Sequence, residues 1–278
     1  MNKFVLTFLS CCLSVPALAV ETGENTSADD YEHKPKIELG VALGAQYLAD
    51  YRGSKSYGAK ALPVPYLIYR GDRIKIDRKG LRGELIKELY WEFTVSGEVA
   101  LSGGRDDNYL RRDMPELDST FELGPSLNIA LDGNVNDDGW VLRMPVRGVF
   151  GASLSGVEYV GYVFNPKVTW TKEQHEEKDW RYSTSLGVTW ADESYHDYYY
   201  QVDDEFVLPD RPYYNAKAGY SGTYFKSSIT QRRGPWRYGI ALRYDNLSGT
   251  DFAQNSPLVE TNDYFAVSLL LARTFWTR

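Results

Sequence analysis

The 278-residue chain has only two cysteines, three methionines and three histidines. Both cysteines, Cys11 and Cys12, sit in the first twelve residues. No disulfide can therefore staple the remainder, and no Cys or His cluster has the spacing of a metal site. Beyond the N-terminus no apolar run approaches the about 18 residues that a membrane helix needs, which excludes a polytopic helical membrane protein. Basic charge is not in excess: 31 Lys+Arg face 38 Asp+Glu, a net charge of -7 that argues against nucleic-acid binding. No GxGxxG or Walker loop follows a strand-like segment. What is abundant is aromatic and small, with 22 Tyr, 7 Trp and 24 Gly in a chain that is 43% apolar. That composition favours β-structure over helix bundles and carries enough apolar mass to fold.

Met1 to Ala19 reads as a secretory signal. Lys3 supplies the positive start, Phe4 to Val15 is mostly apolar, and Ala17-Leu18-Ala19 is a small-x-small exit. The rivals are a buried helix, for which the run is short, and a lipoprotein signal, for which neither cysteine follows a good small-residue box. Residues 20–36 are polar and predict a flexible N-terminal arm. Residues 37–278 predict a single domain.

From Ile37 onward, apolar and polar residues alternate with period two, the signature of strands. In Leu89 to Leu101, Leu89, Trp91, Phe93, Val95, Val99 and Leu101 oppose Tyr90, Glu92, Thr94, Ser96 and Glu98. About twelve strands are predicted, near 37–47, 62–70, 73–84, 88–101, 120–131, 139–150, 158–171, 179–190, 212–220, 223–231, 236–246 and 262–276; ten or fourteen stay open. A soluble sandwich alternates too, and the tryptophans favour a barrel. Trp140, Trp170 and Trp180 are predicted at one rim, and Trp190, Trp236 and Trp276 at the other. Trp180 and Trp190 lie ten residues apart, about the length of a tilted membrane strand. Two aromatic girdles flanking an apolar band describe a transmembrane antiparallel up-and-down β-barrel.

The polar faces then become the lumen. Glu92, Glu98, Arg143, Arg147, Arg181 and Arg243 are its candidate charges. They serve either a charged channel or paired charges that fill a narrow barrel.

Four stretches carry a family resemblance: Tyr47 to Arg70 (with Asp50-Tyr51-Arg52-Gly53-Ser54, Pro63, Pro65, Tyr69 and Arg70), Arg105 to Pro125, Arg143 to Phe150, and Ser256-Pro257-Leu258-Val259. In this order they resemble the MipA/OmpV family of outer-membrane proteins over essentially the whole mature chain. The resemblance implies an outer-membrane barrel of a Gram-negative bacterium, in contact with outer-membrane lipid, without known catalytic residues and without a cofactor. It further implies a scaffold that joins a periplasmic lytic transglycosylase to a murein synthase. Other members are discussed as adhesins or osmotically responsive proteins. The ending Phe275-Trp276-Thr277-Arg278 departs from the terminal aromatic of many barrels.

Barrel termini normally face the periplasm, so with twelve strands the odd-numbered connections lie outside. The two longest connections, 102–119 and 191–211, then fall at even positions. Either they form large periplasmic surfaces or the count is off by one. Leu110, Arg111, Met114 and Leu117 in the first, and Tyr198, Tyr199 and Tyr200 in the second, are the candidate partner contacts. The alternative is a pair of ordinary loops folded over the barrel mouth. Catalysis has one weak candidate, Ser194 with His196, which share a loop instead of occupying neighbouring strands. The expected function is a non-enzymatic scaffold. A narrow solute channel is the alternative, as is an adhesin acting through Leu48 to Ala61 and Ser248 to Thr261.

Overall fold

A computed structural model describes residues 35–278 except 72–73, 78–79, 101–107, 136–137, 154–155 and 175–178. The predicted signal and nearly all of the arm lie outside the described residues, as does His175. The described chain is one antiparallel sheet: β1 (Ile37–Ala49), β2 (Tyr57–Arg70), β3 (Ile74–Asp77), β4 (Gly80–Lys87), β5 (Trp91–Ala100), β6 (Ser119–Ala130), β7 (Gly139–Ser153), β8 (Gly156–Phe164), β9 (Lys167–Gln174), β10 (Asp179–Ala191), β11 (Gly219–Arg233), β12 (Trp236–Asn246) and β13 (Asp263–Thr277). β13 pairs with β1 and β10 with β11, so the sheet closes on itself.

β8 and β9 are two halves of one stave. Both pair with β7 on one side and β10 on the other. The break falls at Asn165-Pro166, where proline has no N–H to give the ladder. The barrel therefore has twelve staves, as the alternation predicts.

Two of the predicted strands are different. The segment 73–84 is a hairpin, because β3 and β4 pair from Ile74↔Gly83 to Asp77↔Gly80. The predicted pair 212–220 and 223–231 is instead the single strand β11, preceded by a loop. Ser221-Gly222, which reads as a turn, is a bulge: Val188 pairs with Thr223 and Trp190 with Tyr220. Gly222 has φ 106°, which the bulge requires and only glycine adopts easily. The two errors cancel in the count but not in direction. Every strand between them runs opposite to its predicted sense.

The barrel is apolar outside and polar inside. Val41, Leu269 and Leu242 are 51%, 48% and 51% exposed, whereas Glu38 and Asp245 are 0% exposed. The β9 face made of Lys167, Thr169, Thr171 and Glu173 is buried, as is the β10 face of Arg181, Ser183 and Ser185. That inversion is the lipid-facing and lumen-facing alternation of a membrane barrel.

The rims are aromatic, but their membership differs from the prediction. Trp236 is opposite Arg273 and Trp276 opposite Leu39, so both join Trp140, Trp170 and Trp180 at the end that holds the termini. The other rim has Trp190 against Phe164 and Tyr220, together with the ring pairs Tyr47–Tyr57, Phe121–Phe150 and Tyr244–Phe265.

Candidate functional site: the capped lumen

Charges fill the lumen in three tiers. Near the termini, Glu38 binds Arg70 at 2.6 Å and Arg232 at 3.4 Å, and Arg181 pairs with Glu173. At mid-height, Glu98 binds Arg147 at 2.8 Å and Lys226 at 2.5 Å, and Arg147 also meets Glu122 at 3.3 Å. Lys226 is on β11 and Glu98 on β5, with four staves between them by the shorter way round, so this pair crosses the lumen. At the far end Asp245 receives Arg243 at 2.6 Å and Arg52 at 2.8 Å. Charges this buried must be paired, because desolvation outweighs any single attraction.

The connections that include 108–118, 192–218 and 247–262 all lie at the end away from the termini, with 50–56. They follow the fifth, ninth, eleventh and first staves. Together they form a cap. Helix α1 (Glu193–Tyr200) begins at Asp192, whose carboxylate accepts from Tyr195 N and Tyr162 N, both at 3.0 Å. Its seat is Gly161 (φ 151°), where a Cβ would lie 2.4 Å from that carboxylate and 2.6 Å from Tyr195 N. Helix α2 (Asp251–Asn255) is capped by Thr250. The rings of Tyr200 and Phe252 stack at 3.9 Å and 3°, joining the two helices.

Tyr51, Leu117, Val202, Tyr214, Leu247 and Leu258 complete this core. Hydrogen bonds tie the segments to one another: Tyr51 OH to Leu258 O at 2.7 Å, Tyr200 OH to Arg52 O at 3.0 Å, Asn108 Nδ2 to Asp50 at 2.7 Å and Ser256 Oγ to Tyr200 O at 2.7 Å. Arg52 leaves the cap, donates to Ser221 O at the β11 bulge and reaches Asp245 on the wall. Gly222 leaves room for it, since a Cβ there would be 2.9 Å from the guanidinium.

The predicted partner residues are interior to this cap. Leu117 and Tyr200 are buried in its core, and Leu110, Met114, Tyr198 and Tyr199 pack against it. Arg111 donates to Tyr199 O at 3.0 Å and covers the Tyr51 ring. None of the seven is an exposed loop residue, and none is at the end that holds the termini. The long connections are loops folded over the mouth.

Ser194 is exposed while His196 is buried among Tyr195, Tyr200 and Phe252, its Nδ1 2.5 Å from Lys217 O. Burial lowers the His196 pKa, partly opposed by that carbonyl. Burial, with Glu193, Asp203 and Asp192 nearby, pushes the Asp197 carboxyl up to about 6.

The predicted lumen charges Glu92, Glu98, Arg143, Arg147, Arg181 and Arg243 belong to strand faces that turn inward. Glu92 accepts from Asn128 at 2.8 Å. Alternation did not single out Arg70 and Arg232, which pair with Glu38, nor Arg52, which lies in a loop. The only sequence signal of Arg52 is its place in the Asp50-to-Ser54 stretch.

A closed antiparallel barrel with an apolar exterior, aromatic rims and a charged lumen defines a transmembrane β-barrel of the outer-membrane type. The family described as MltA-interacting protein MipA matches residues 41–275, and the chain belongs to that family. No curated protein matches. Among solved structures the chain is similar to an outer membrane channel from Pseudomonas putida F1 (16% identity, 90% of this chain and 100% of that one, TM-score 0.42). It is also similar to the NanC porin (7%, 84% and 100%, 0.37) and the outer membrane channel DcaP of Acinetobacter baumannii (8%, 91% and 100%, 0.33). Likenesses at this level carry no argument; the barrel rests on its own ladders.

Proposed function

We propose that this protein is a non-enzymatic outer-membrane barrel that acts as a narrow solute channel, closed at its outer mouth by the cap. The observation that carries this reading is the Arg52–Asp245 clasp. The closure is held to the wall by a separable ion pair, and beneath it the lumen is polar along its length. Arg52→Ala removes the clasp and leaves Asp245 paired with Arg243. In planar bilayers the wild type is expected to open rarely and the folded variant persistently. A folded variant that conducts no more than wild type sinks the channel reading.

A second reading rests on family membership. The family's name points to a lytic transglycosylase as partner, and a murein synthase would join it in a scaffold. Such enzymes would meet the end that holds the termini, where Leu89 and Tyr90 are exposed in the β4–β5 turn. Leu89→Asp with Tyr90→Asp is expected to abolish co-purification with the transglycosylase; undiminished co-purification argues against this face. Export through a signal cleaved after Ala19 is part of both readings, and the N-terminal sequence of the mature protein tests it.

A further inference from the structure

Among the described residues Arg143 makes no ion pair, unlike Arg52, Arg70, Arg147, Arg181, Arg232 and Arg243. Arg143 lies on the inward face of β7, four residues before Arg147. Its Nε is buried without a hydrogen-bond partner. The acids nearby are already engaged: Glu98 holds Arg147 and Lys226, and Glu122 meets Arg147. On β6 its register partner is Asn128, whose amide donates to Glu92 at 2.8 Å and Thr94 at 3.5 Å, away from Arg143. On β9 its register partner is Lys167, which is also buried. Two like charges directly opposed on one face repel each other. The row that holds Arg143 thus sets it beside Lys167 on one side and Asn128 on the other, with Glu92 one stave further on and engaged by Asn128.

We propose that Arg143 and Lys167 form an oxyanion-binding station in the lumen, taking the carboxylate or phosphate group of a small solute. A bound oxyanion relieves the Arg143–Lys167 repulsion. The planar guanidinium offers two parallel N–H donors to it, and the ammonium adds a point charge from the next stave. The biological role of this station rests on the channel reading, because it names the solute class that the lumen would select.

Titration calorimetry on the full-length folded barrel in detergent tests it, with inorganic phosphate and acetate as separate probes. Wild type is expected to bind at least one of them: phosphate alone indicates a phosphate ligand, acetate alone a carboxylate. Arg143→Gln is expected to weaken binding by about tenfold, the cost of one charge-assisted interaction. Arg143→Lys should recover part of the loss, and Lys167→Gln should weaken binding independently. Arg233→Gln, which changes an exposed cation at the end of β11, should bind like wild type. The station is overturned if wild type binds neither probe or if folded Arg143→Gln binds as tightly as wild type.

Reversal potentials under a KCl gradient in the Arg52→Ala background separate the two proposals. Anion selectivity that falls on adding Arg143→Gln supports both. Oxyanion binding without any conductance keeps the station and removes the channel. Conductance with no anion preference and no oxyanion binding keeps the channel and removes the station.

Discussion

At Asp197 the cap carries a carboxyl raised to about 6 by burial and neighbouring acids. In an open chain aspartate titrates at about 3.9. Its ionisation therefore opposes the folded cap, with no cost below about pH 4 and the full cost above about pH 6. Asp197→Asn is expected to slow amide exchange in α1 at pH 7.5 and to change little at pH 3.5. His196 has the opposite sign. Its lowered value means that it supports the cap above its free pKa of about 6.5, and that this support fades as pH falls. In Asp197→Asn only the His196 titration remains, so loosening between pH 7.5 and pH 5 should exceed that of wild type. An equal or smaller loosening contradicts this pairing. Phe252, stacked on Tyr200, is the apolar centre of the same region, and Phe252→Ala should cost about 3–5 kcal/mol of cap stability. Exchange confined to 192–218 and 247–262, with the strands still protected, would show that the loss is local.

Among the elements, α1 depends on a glycine that belongs to another strand. Gly161→Ala would drive a methyl into the Asp192 cap and the Tyr195 amide. The barrel should still form and resist SDS without heating, while the cap becomes open to protease; a protected cap in Gly161→Ala refutes this dependence. The strands themselves are legible because alternation reports a local property, the opposite directions of successive side chains. The hairpin at Asp77–Gly80 and the bulge at Ser221-Gly222 are less so. Both are short polar or glycine-bearing pieces. Whether such a piece reverses the chain or merely bulges depends on the strand across from it, here β10 with its shift between Val188 and Trp190.

For the whole molecule, the consequence is which connections share an end. The structure gathers the long connections opposite the termini, and with periplasmic termini that end faces outward. Apart from Cys11 and Cys12 the chain has no cysteine, so single probes are clean. Tyr109→Cys, at a site 66% exposed on the cap, should react with an impermeant maleimide on intact cells. Leu89→Cys, at a site 57% exposed at the other end, should react only after the outer membrane is opened. The reverse pattern would put the cap in the periplasm and strengthen the scaffold reading.

The sequence by itself determined the all-β class and the aromatic rims as a feature, and its count of twelve staves agrees with the structure because two misplaced reversals cancel. The class and the rims follow from period-two alternation and side-chain chemistry, which are local. Only the tertiary structure decided that Trp140, Trp170 and Trp180 join Trp236 and Trp276 at the rim by the termini while Trp190 faces the other way, and that the predicted partner residues pack in a cap. The direction of a strand depends on every reversal before it, so one misjudged turn inverts each strand up to the next misjudged one. Closure decided the rest. Lys226 finds Glu98 across the lumen, Arg52 finds Asp245 from a loop, and Arg143 is left facing Lys167, because side chains far apart in sequence meet only once the sheet has closed on itself.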